Sequence, residues 1–133
     1  MKIDEQMVRS IFAGLERGDG DAFFEHVADD VDWTVMGTHP LAGRYPSKRA
    51  FQEGTFSKLD KVLPDGAKLR VTNVIVAGDI AVVELVSDAI ARNGMRFDNH
   101  YCWVTRFGGK TIVEVRAYLD STMVAELFCQ NPI

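Results

Sequence analysis

The amino-terminal part of the chain carries apolar residues at the three- and four-residue spacing of an amphipathic helix. Asp4 can cap the start of this helix, and Gly18 can end it. Between them the apolar positions form one stripe, made of Met7, Val8, Ile11, Phe12 and Leu15. The pattern therefore predicts a first helix with one face packed against the rest of the protein.

Two more helices and a strand are predicted in the first half of the chain. A second, short helix capped by Asp19 or Asp21 is expected to reach Val27. Residues 31–36 alternate apolar with polar side chains, which is the period of a strand with one buried face. After a loop rich in glycine, Pro46-Ser47 offers the start of a third helix. The first half is therefore mostly helical.

The second half changes to long β-rich runs joined by short turns that contain glycine. The runs cover Lys68–Ala77, Ile80–Arg92, Met95–Phe107 and Lys110–Leu119. Asn93-Gly94, between the second and third runs, is the strongest signal for a two-residue hairpin, because both turn positions favour positive φ. The runs predict an antiparallel meander, after which Asp120 can cap a short last helix.

These elements predict an α+β fold in one domain, residues 1–133. The expected architecture is a cone-shaped roll, in which three amino-terminal helices pack on a strongly curved antiparallel sheet and a short helix follows at the carboxyl end. Strands of about twelve residues twist and curl. A curled sheet covered by helices leaves a hollow, which predicts a pocket for a small molecule.

Composition narrows the partners of this fold. The chain has 47% hydrophobic and 26% charged residues, and its net charge of −4 predicts no nucleic-acid partner. It has no signal-peptide pattern and no apolar run of about eighteen residues, so we predict a cytoplasmic protein that does not enter the membrane. Cys102 and Cys129 form no CxxC pair, and we predict no metal site and no cofactor.

Three segments resemble the nuclear transport factor 2 and ketosteroid isomerase superfamily, in its SnoaL-like polyketide cyclase branch. They are LERGDGDAFFEHVADDVDW, GTHPLAGRYPSKRAF and GGKTIVEVRAYLDS, and together they span nearly the whole chain. The resemblance implies a cone-shaped fold, a pocket for a hydrophobic small molecule and a homodimer formed through the outer face of the sheet. It does not specify a reaction, because the superfamily includes isomerases, cyclases, hydrolases and proteins without catalysis.

The catalytic groups of two enzymes in this superfamily are missing from the matching positions. Alignment with ketosteroid isomerases puts Thr34 at the carboxylate base, Ile11 at the oxyanion tyrosine and Trp103 at the oxyanion aspartate. Alignment with limonene epoxide hydrolases puts Trp103, Tyr101 and Ala117 at their Asp-Arg-Asp set. The two alignments imply a hollow that is mostly apolar and aromatic.

Three residues remain as candidates for chemistry. His39 lies in the GTHPLAG loop, which resembles the mouth of the pocket, and imidazole titrates near neutral pH. Tyr101 and Asn99 alternate on the predicted inner face and could orient a ligand oxygen. For each of the three, a purely structural role is the competing interpretation. The wall of the pocket is predicted to contain Thr34, Met36, Trp103, Ala117 and Phe56.

Two functions stay open on this basis. The first is an acid/base isomerase, cyclase or hydrolase acting on a hydrophobic carbonyl compound, with His39 as the base or acid. The alternative is a binding or dimeric interaction module without catalysis. On the outer face of the sheet, Arg116 is expected to form an ion pair with Glu84, Asp88 or Asp98.

Overall fold

Helix α1 (Glu5–Arg17) begins and ends where the sequence predicts, in a computed structural model that describes residues 2–133. The Asp4 carboxylate accepts a hydrogen bond from the backbone N–H of Met7 at 2.8 Å. Gly18 ends the helix with φ of 76°, a left-handed conformation that glycine adopts without steric cost. The apolar stripe is buried against the sheet, and Val8 and Phe12 are fully buried.

The next helices are shorter than predicted. Helix α2 covers only Gly20–Phe24, with Asp19 as its cap, and Val27 already begins strand β1 (Val27–Val35). The predicted third helix is two helices, α3 (Lys48–Gly54) and α4 (Phe56–Val62). Thr55 separates them with φ of −128° and ψ of −76°, and its hydroxyl donates to the Phe51 carbonyl at 2.7 Å.

Six strands form the main sheet. In addition to β1 they are β2 (Gly43–Tyr45), β3 (Leu69–Ala77), β4 (Ile80–Ser87), β7 (His100–Gly108) and β8 (Thr111–Leu119), in the order β2-β1-β8-β7-β4-β3. The four strands of the meander are antiparallel as predicted, whereas β1 runs parallel to β8. Register shifts in β1, β3 and β8 mark bulges, which increase the curl of the sheet.

Two of the predicted long strands each break in the middle. Their ends form a separate hairpin of β5 (Ala89–Ile90) and β6 (Arg96–Phe97). Ser87 holds the break, because its hydroxyl donates to the Phe97 carbonyl and accepts from the Asn99 N–H, each at 2.9 Å. The turn also differs from the prediction, which expected positive φ at both Asn93 and Gly94. Gly94 has φ of 91°, but Asn93 does not have positive φ, since within residues 2–133 only glycines do.

The core has two parts. The larger cluster lies between α1, α2 and α3 and the inner face of the main sheet. The smaller cluster joins α4, the β5–β6 hairpin and the last helix, α5 (Ser121–Gln130), around Val62, Phe97 and Leu127. None of the helices in residues 2–133 is long and apolar enough to cross a membrane.

The outer face of the sheet carries an apolar row. Ile75 pairs with Val82, Val82 with Val104, and Val104 with Arg116 on neighbouring strands. Ile75 is 55% exposed and Tyr118, on the same face, is 44% exposed. We call Ile75, Val82, Val104 and Tyr118 the outer apolar row.

The ion pairs predicted for Arg116 are wrong. Glu84 instead accepts from the Asn73 amide at 2.9 Å. Asp88 forms an ion pair with Arg70, and Asp98 forms one with Arg96. Arg116 makes no ion pair with any residue in 2–133, so its charge is available on the outer face.

Candidate small-molecule cavity

A cavity of about 40 Å³ lies at the seam between the two core clusters. Its wall comes from the inner face of the sheet, the GTHPLAG loop, α3, α4 and the segment before β3. The lining residues are Trp33, Val35, Leu41, Phe51, Thr55, Phe56, Leu59, Ala67, Leu69, Tyr101, Trp103, Ala117 and Leu119. A water needs about 10–15 Å³ of such volume, so the hollow has room for about three waters.

Aromatic rings fill most of the cone and leave the cavity small. The Trp33 indole stacks on the Phe51 ring with centroids 3.8 Å apart and meets the Trp103 indole edge-on at 5.1 Å. Phe24 and Phe56 also pack against Phe51. Offset stacked and edge-to-face pairs are the favoured arrangements of aromatic rings. The cavity is therefore bounded by rings that hold one another in place.

Few polar groups belong to this wall. The Thr55 hydroxyl donates to the Phe51 carbonyl of the preceding helix. Burial raises the pKa of Tyr101 above its usual range, an effect that the Ser87 hydroxyl partly offsets. Tyr101 therefore keeps its proton and acts as a hydrogen-bond donor, not as a base. The remaining polar side-chain atoms are the indole Nε1 atoms of Trp33 and Trp103.

The Trp33 indole nitrogen has no hydrogen-bond partner. Within residues 2–133 it is the one buried side-chain nitrogen or oxygen without an acceptor or donor, and the residue itself is 0% exposed. Buried polar groups in folded proteins nearly always have a partner, so an orphan of this kind requires an explanation.

His39 does not line the cavity, contrary to the prediction. Its Nε2 lies 3.0 Å from the Met36 carbonyl, and its Nδ1 accepts from the Leu41 N–H at 3.1 Å. These contacts require the neutral tautomer with the proton on Nε2. The imidazole therefore fixes the GTHPLAG loop, and neither of its nitrogens is free to act on a ligand.

Asn99 is also absent from the wall. It is 0% exposed, and its Oδ1 accepts from the backbone N–H groups of His100 at 2.8 Å and Asp120 at 3.1 Å. Its Nδ2 donates to the Asp120 carbonyl at 3.4 Å. The side chain thus ties the break between β6 and β7 to the start of α5, and its polar atoms are used by the backbone.

The structure divides the predicted wall residues. Trp103, Ala117 and Phe56 line the cavity, as does Tyr101, whereas Thr34 and Met36 do not. On β1 the buried positions are Val31, Trp33 and Val35, and the positions between them are only half-buried. Because side chains of a strand alternate between faces, Thr34 lies on the opposite side of the sheet from the cavity.

Sequence reasoning missed Trp33, Val35, Leu41 and Phe51 as wall residues. The signal for the first two is the alternation of residues 31–36, which puts Trp33 and Val35 on the buried face of β1. That face is also the face of the cavity. Leu41 and Phe51 reach it through the loop and α3, and no spacing in the sequence indicates that contact.

An open groove of about 400 Å³ lies outside the cavity, between the α1–α2 turn and α4. Its wall is polar and includes Asp19, Asp21, Asp60 and Asp65. Phe56 and Ala67 line both the groove and the cavity. These two residues therefore form the partition between the inner hollow and the outside.

Comparisons with known proteins agree with this architecture. Residues 8–115 match the family model of the SnoaL-like domain. The dimerizing cyclase phiC of Fungal sp. (strain ATCC 74256) is 26% identical over 135 residues, which cover 98% of this chain. This chain spans only 59% of the length of that relative.

Solved structures share the fold. An NTF2-like protein from Burkholderia thailandensis E264 is 26% identical with a TM-score of 0.79, and the match covers 92% of this chain and 95% of that one. TerC, crystallised with polyporic acid, superposes with a TM-score of 0.76 at 19% identity over 92% of this chain and 95% of TerC. At that identity the second match shows the fold alone.

Proposed function

This chain belongs to the SnoaL-like domain family, and we propose that it binds a small hydrophobic compound with a carbonyl group in the aromatic cavity and holds it in one orientation. The observation that carries the proposal is the composition of the wall, which is made of aromatic and aliphatic side chains with the partly buried Tyr101 hydroxyl as a donor. An apolar pocket with few fixed polar groups is typical of sites for hydrophobic ligands.

The same wall argues against acid/base catalysis by a side chain. Among the described residues that line the cavity there is no carboxylate, imidazole or amine. His39 is occupied by its own loop, and Tyr101 keeps its proton. A reaction that suits this site is one promoted by orientation and hydrogen-bond donation, such as a ring closure. The cyclase among the relatives supports this choice of reaction class.

Ligand binding requires the wall to move. A dry cavity that accepts benzene measures about 150 Å³, which exceeds the 40 Å³ found between the rings. Phe56 is the wall residue whose side chain can move most easily, because it is only partly buried and separates the cavity from the open groove. It is also the first residue of α4, whose start has no side-chain cap. We propose that its ring swings aside to admit the ligand.

Tyr101→Phe tests this proposal. We expect acetophenone, a simple aromatic ketone, to bind the variant about fivefold more weakly, because one neutral hydrogen bond contributes about 1 kcal/mol. Titration followed by tryptophan fluorescence or by ¹H–¹⁵N spectra provides the affinity. The matched control is Tyr118→Phe on the outer face, where no change is expected. Equal affinity in both variants, or no binding to the unmodified protein, contradicts the proposal.

We also propose that two copies pair through the outer apolar row. Ile75, Val82 and Val104 form a continuous apolar strip across three strands, and Tyr118 lies beside it. Exposed apolar strips of this kind commonly mark contact surfaces. A two-fold pair would bring the same strip of each copy together, which is the arrangement of most homodimers.

Val104→Glu is expected to convert this dimer to a monomer, because it places a charge in the centre of the apolar row. Sedimentation velocity should give a species of twice the 14.8 kDa chain mass for the unmodified protein and one chain mass for the variant. Ile90→Glu is the matched control, since Ile90 is 54% exposed but lies on the separate hairpin. A monomeric unmodified protein, or a variant that stays dimeric, refutes this assembly.

A further inference from the structure

The indole N–H of Trp33 is buried and has no hydrogen-bond partner within residues 2–133. Trp33 lies near the carboxyl end of β1, with Tyr45 and Val115 opposite it on the two neighbouring strands. Its ring is clamped by the stacked Phe51 and by the edge-on Trp103. A rotation that exposed Nε1 to solvent would have to break both aromatic contacts. Because Trp33 lines the cavity, the ring that carries the orphan donor is part of the cavity wall.

Packing alone does not require this nitrogen. A phenyl ring could stack on Phe51 and meet Trp103 without leaving a buried donor unsatisfied. Leaving such a donor without a partner lowers the stability of the ligand-free protein. A group of this kind in a native structure is accounted for by a water, an aromatic face or a ligand that supplies the acceptor.

We propose that the Trp33 indole N–H is the donor that recognises the carbonyl oxygen of the bound compound. This inference rests on the proposed function, and it makes Trp33 the residue that selects ketones over hydrocarbons of the same shape. Trp33 and Tyr101 both contact the Trp103 ring, at centroid distances of 5.1 Å and 6.4 Å. A carbonyl oxygen has two lone pairs, so one ligand oxygen can accept from both donors.

The experiment compares acetophenone with ethylbenzene, which has the same ring and no acceptor. The protein is labelled with ¹⁵N, and its two indole N–H signals are assigned with the Trp33→Phe and Trp103→Phe variants. We expect the Trp33 signal to move downfield with acetophenone, as a new hydrogen bond forms, and to lack this downfield shift with ethylbenzene. In Trp33→Phe the affinity for acetophenone should fall about fivefold relative to the affinity for ethylbenzene, because both probes meet the same altered wall and only the ketone loses a hydrogen bond.

The thermal stability of Trp33→Phe separates recognition from a structural role. We expect its melting temperature to fall less than that of Trp103→Phe, which loses the same part of the ring, because Trp33→Phe also removes an unsatisfied buried donor. If this variant does not fold, the titration of the unmodified protein still decides the matter. A Trp33 signal that responds equally to both probes assigns the N–H to an aromatic face or a water and overturns the inference.

The outcomes also distinguish recognition of the carbonyl oxygen by Trp33 from the proposed function, which is binding of a small molecule in the cavity. If both probes bind and only other signals report the ketone, the cavity binds small molecules but Trp33 does not recognise the oxygen. If neither probe binds at any concentration, the cavity is closed, and the proposed function fails together with the inference. If the Trp33 signal reports the ketone specifically, both stand.

Discussion

Trp103→Ala is expected to lower the free energy of unfolding by about 3–5 kcal/mol, the usual cost of deleting a buried tryptophan side chain. Trp103 is 3% exposed and sits in the centre of the aromatic cluster. Its ring contacts Phe12, Phe23 and Trp33. Because these rings hold one another in place, the space left by the indole cannot close fully. Urea unfolding followed by circular dichroism measures the loss.

Trp103→Phe is the matched control for this prediction. It keeps an aromatic ring and most of the contacts, so we expect a clearly smaller loss than for alanine. The alanine variant should in return have a larger hollow and bind acetophenone without displacement of Phe56. A loss below about 1 kcal/mol would mean that the rings rearrange freely, and the description of a rigid aromatic wall would then be wrong.

Asn99→Ala is expected to cost about 3 kcal/mol of stability, which corresponds to a fall of roughly 10 °C in melting temperature. The amide accepts from two partly buried backbone N–H groups and donates to one carbonyl, so its removal leaves these groups without this partner. Differential scanning calorimetry provides the measurement. The protein that remains folded should bind acetophenone with unchanged affinity, since Asn99 does not line the cavity.

Asn73→Ala is the comparison for this second variant. Asn73 is exposed on β3 and bonds only to the Glu84 carboxylate, so its loss should change stability by less than about 0.5 kcal/mol. A stable Asn99→Ala variant with weakened ketone binding would contradict this structural role and restore Asn99 as a ligand-binding residue.

Local signals predicted the elements of this fold better than their breaks. Asp4 and Gly18 act within one turn of the helix that they cap, so the bounds of α1 could be predicted from the local sequence alone. The break of the long strands at Ser87 depends on hydrogen bonds to residues ten and twelve positions away. The split of the third helix falls at Gly54-Thr55, where the glycine is a local signal for an interruption. Tertiary contacts therefore decide the break of the strands, whereas the split of the helix has a signal in the sequence.

The wall residues of the candidate site could be predicted where the alternation of side chains along a strand decided which face they occupy. Alternation along β7 and β8 put Tyr101, Trp103 and Ala117 on one face, and all three line the cavity. The alignment put Thr34 in the pocket, whereas the alternation of side chains along its own strand puts it on the opposite face. The structure agrees with the alternation. His39 could not be placed, because its orientation depends on hydrogen bonds inside an irregular loop.

The order of the strands in the sheet affects how the chain folds while it is being synthesised. Strand β8 lies between β1 and β7, yet it is the last strand to be synthesised. Until it arrives, β1 has only the three-residue β2 as a partner, and the backbone of its other edge is unpaired. Parallel pairing over such a long separation forms slowly. We therefore expect nascent chains that stop before residue 111 to bind chaperones or aggregate, and the sheet to close in a single late step.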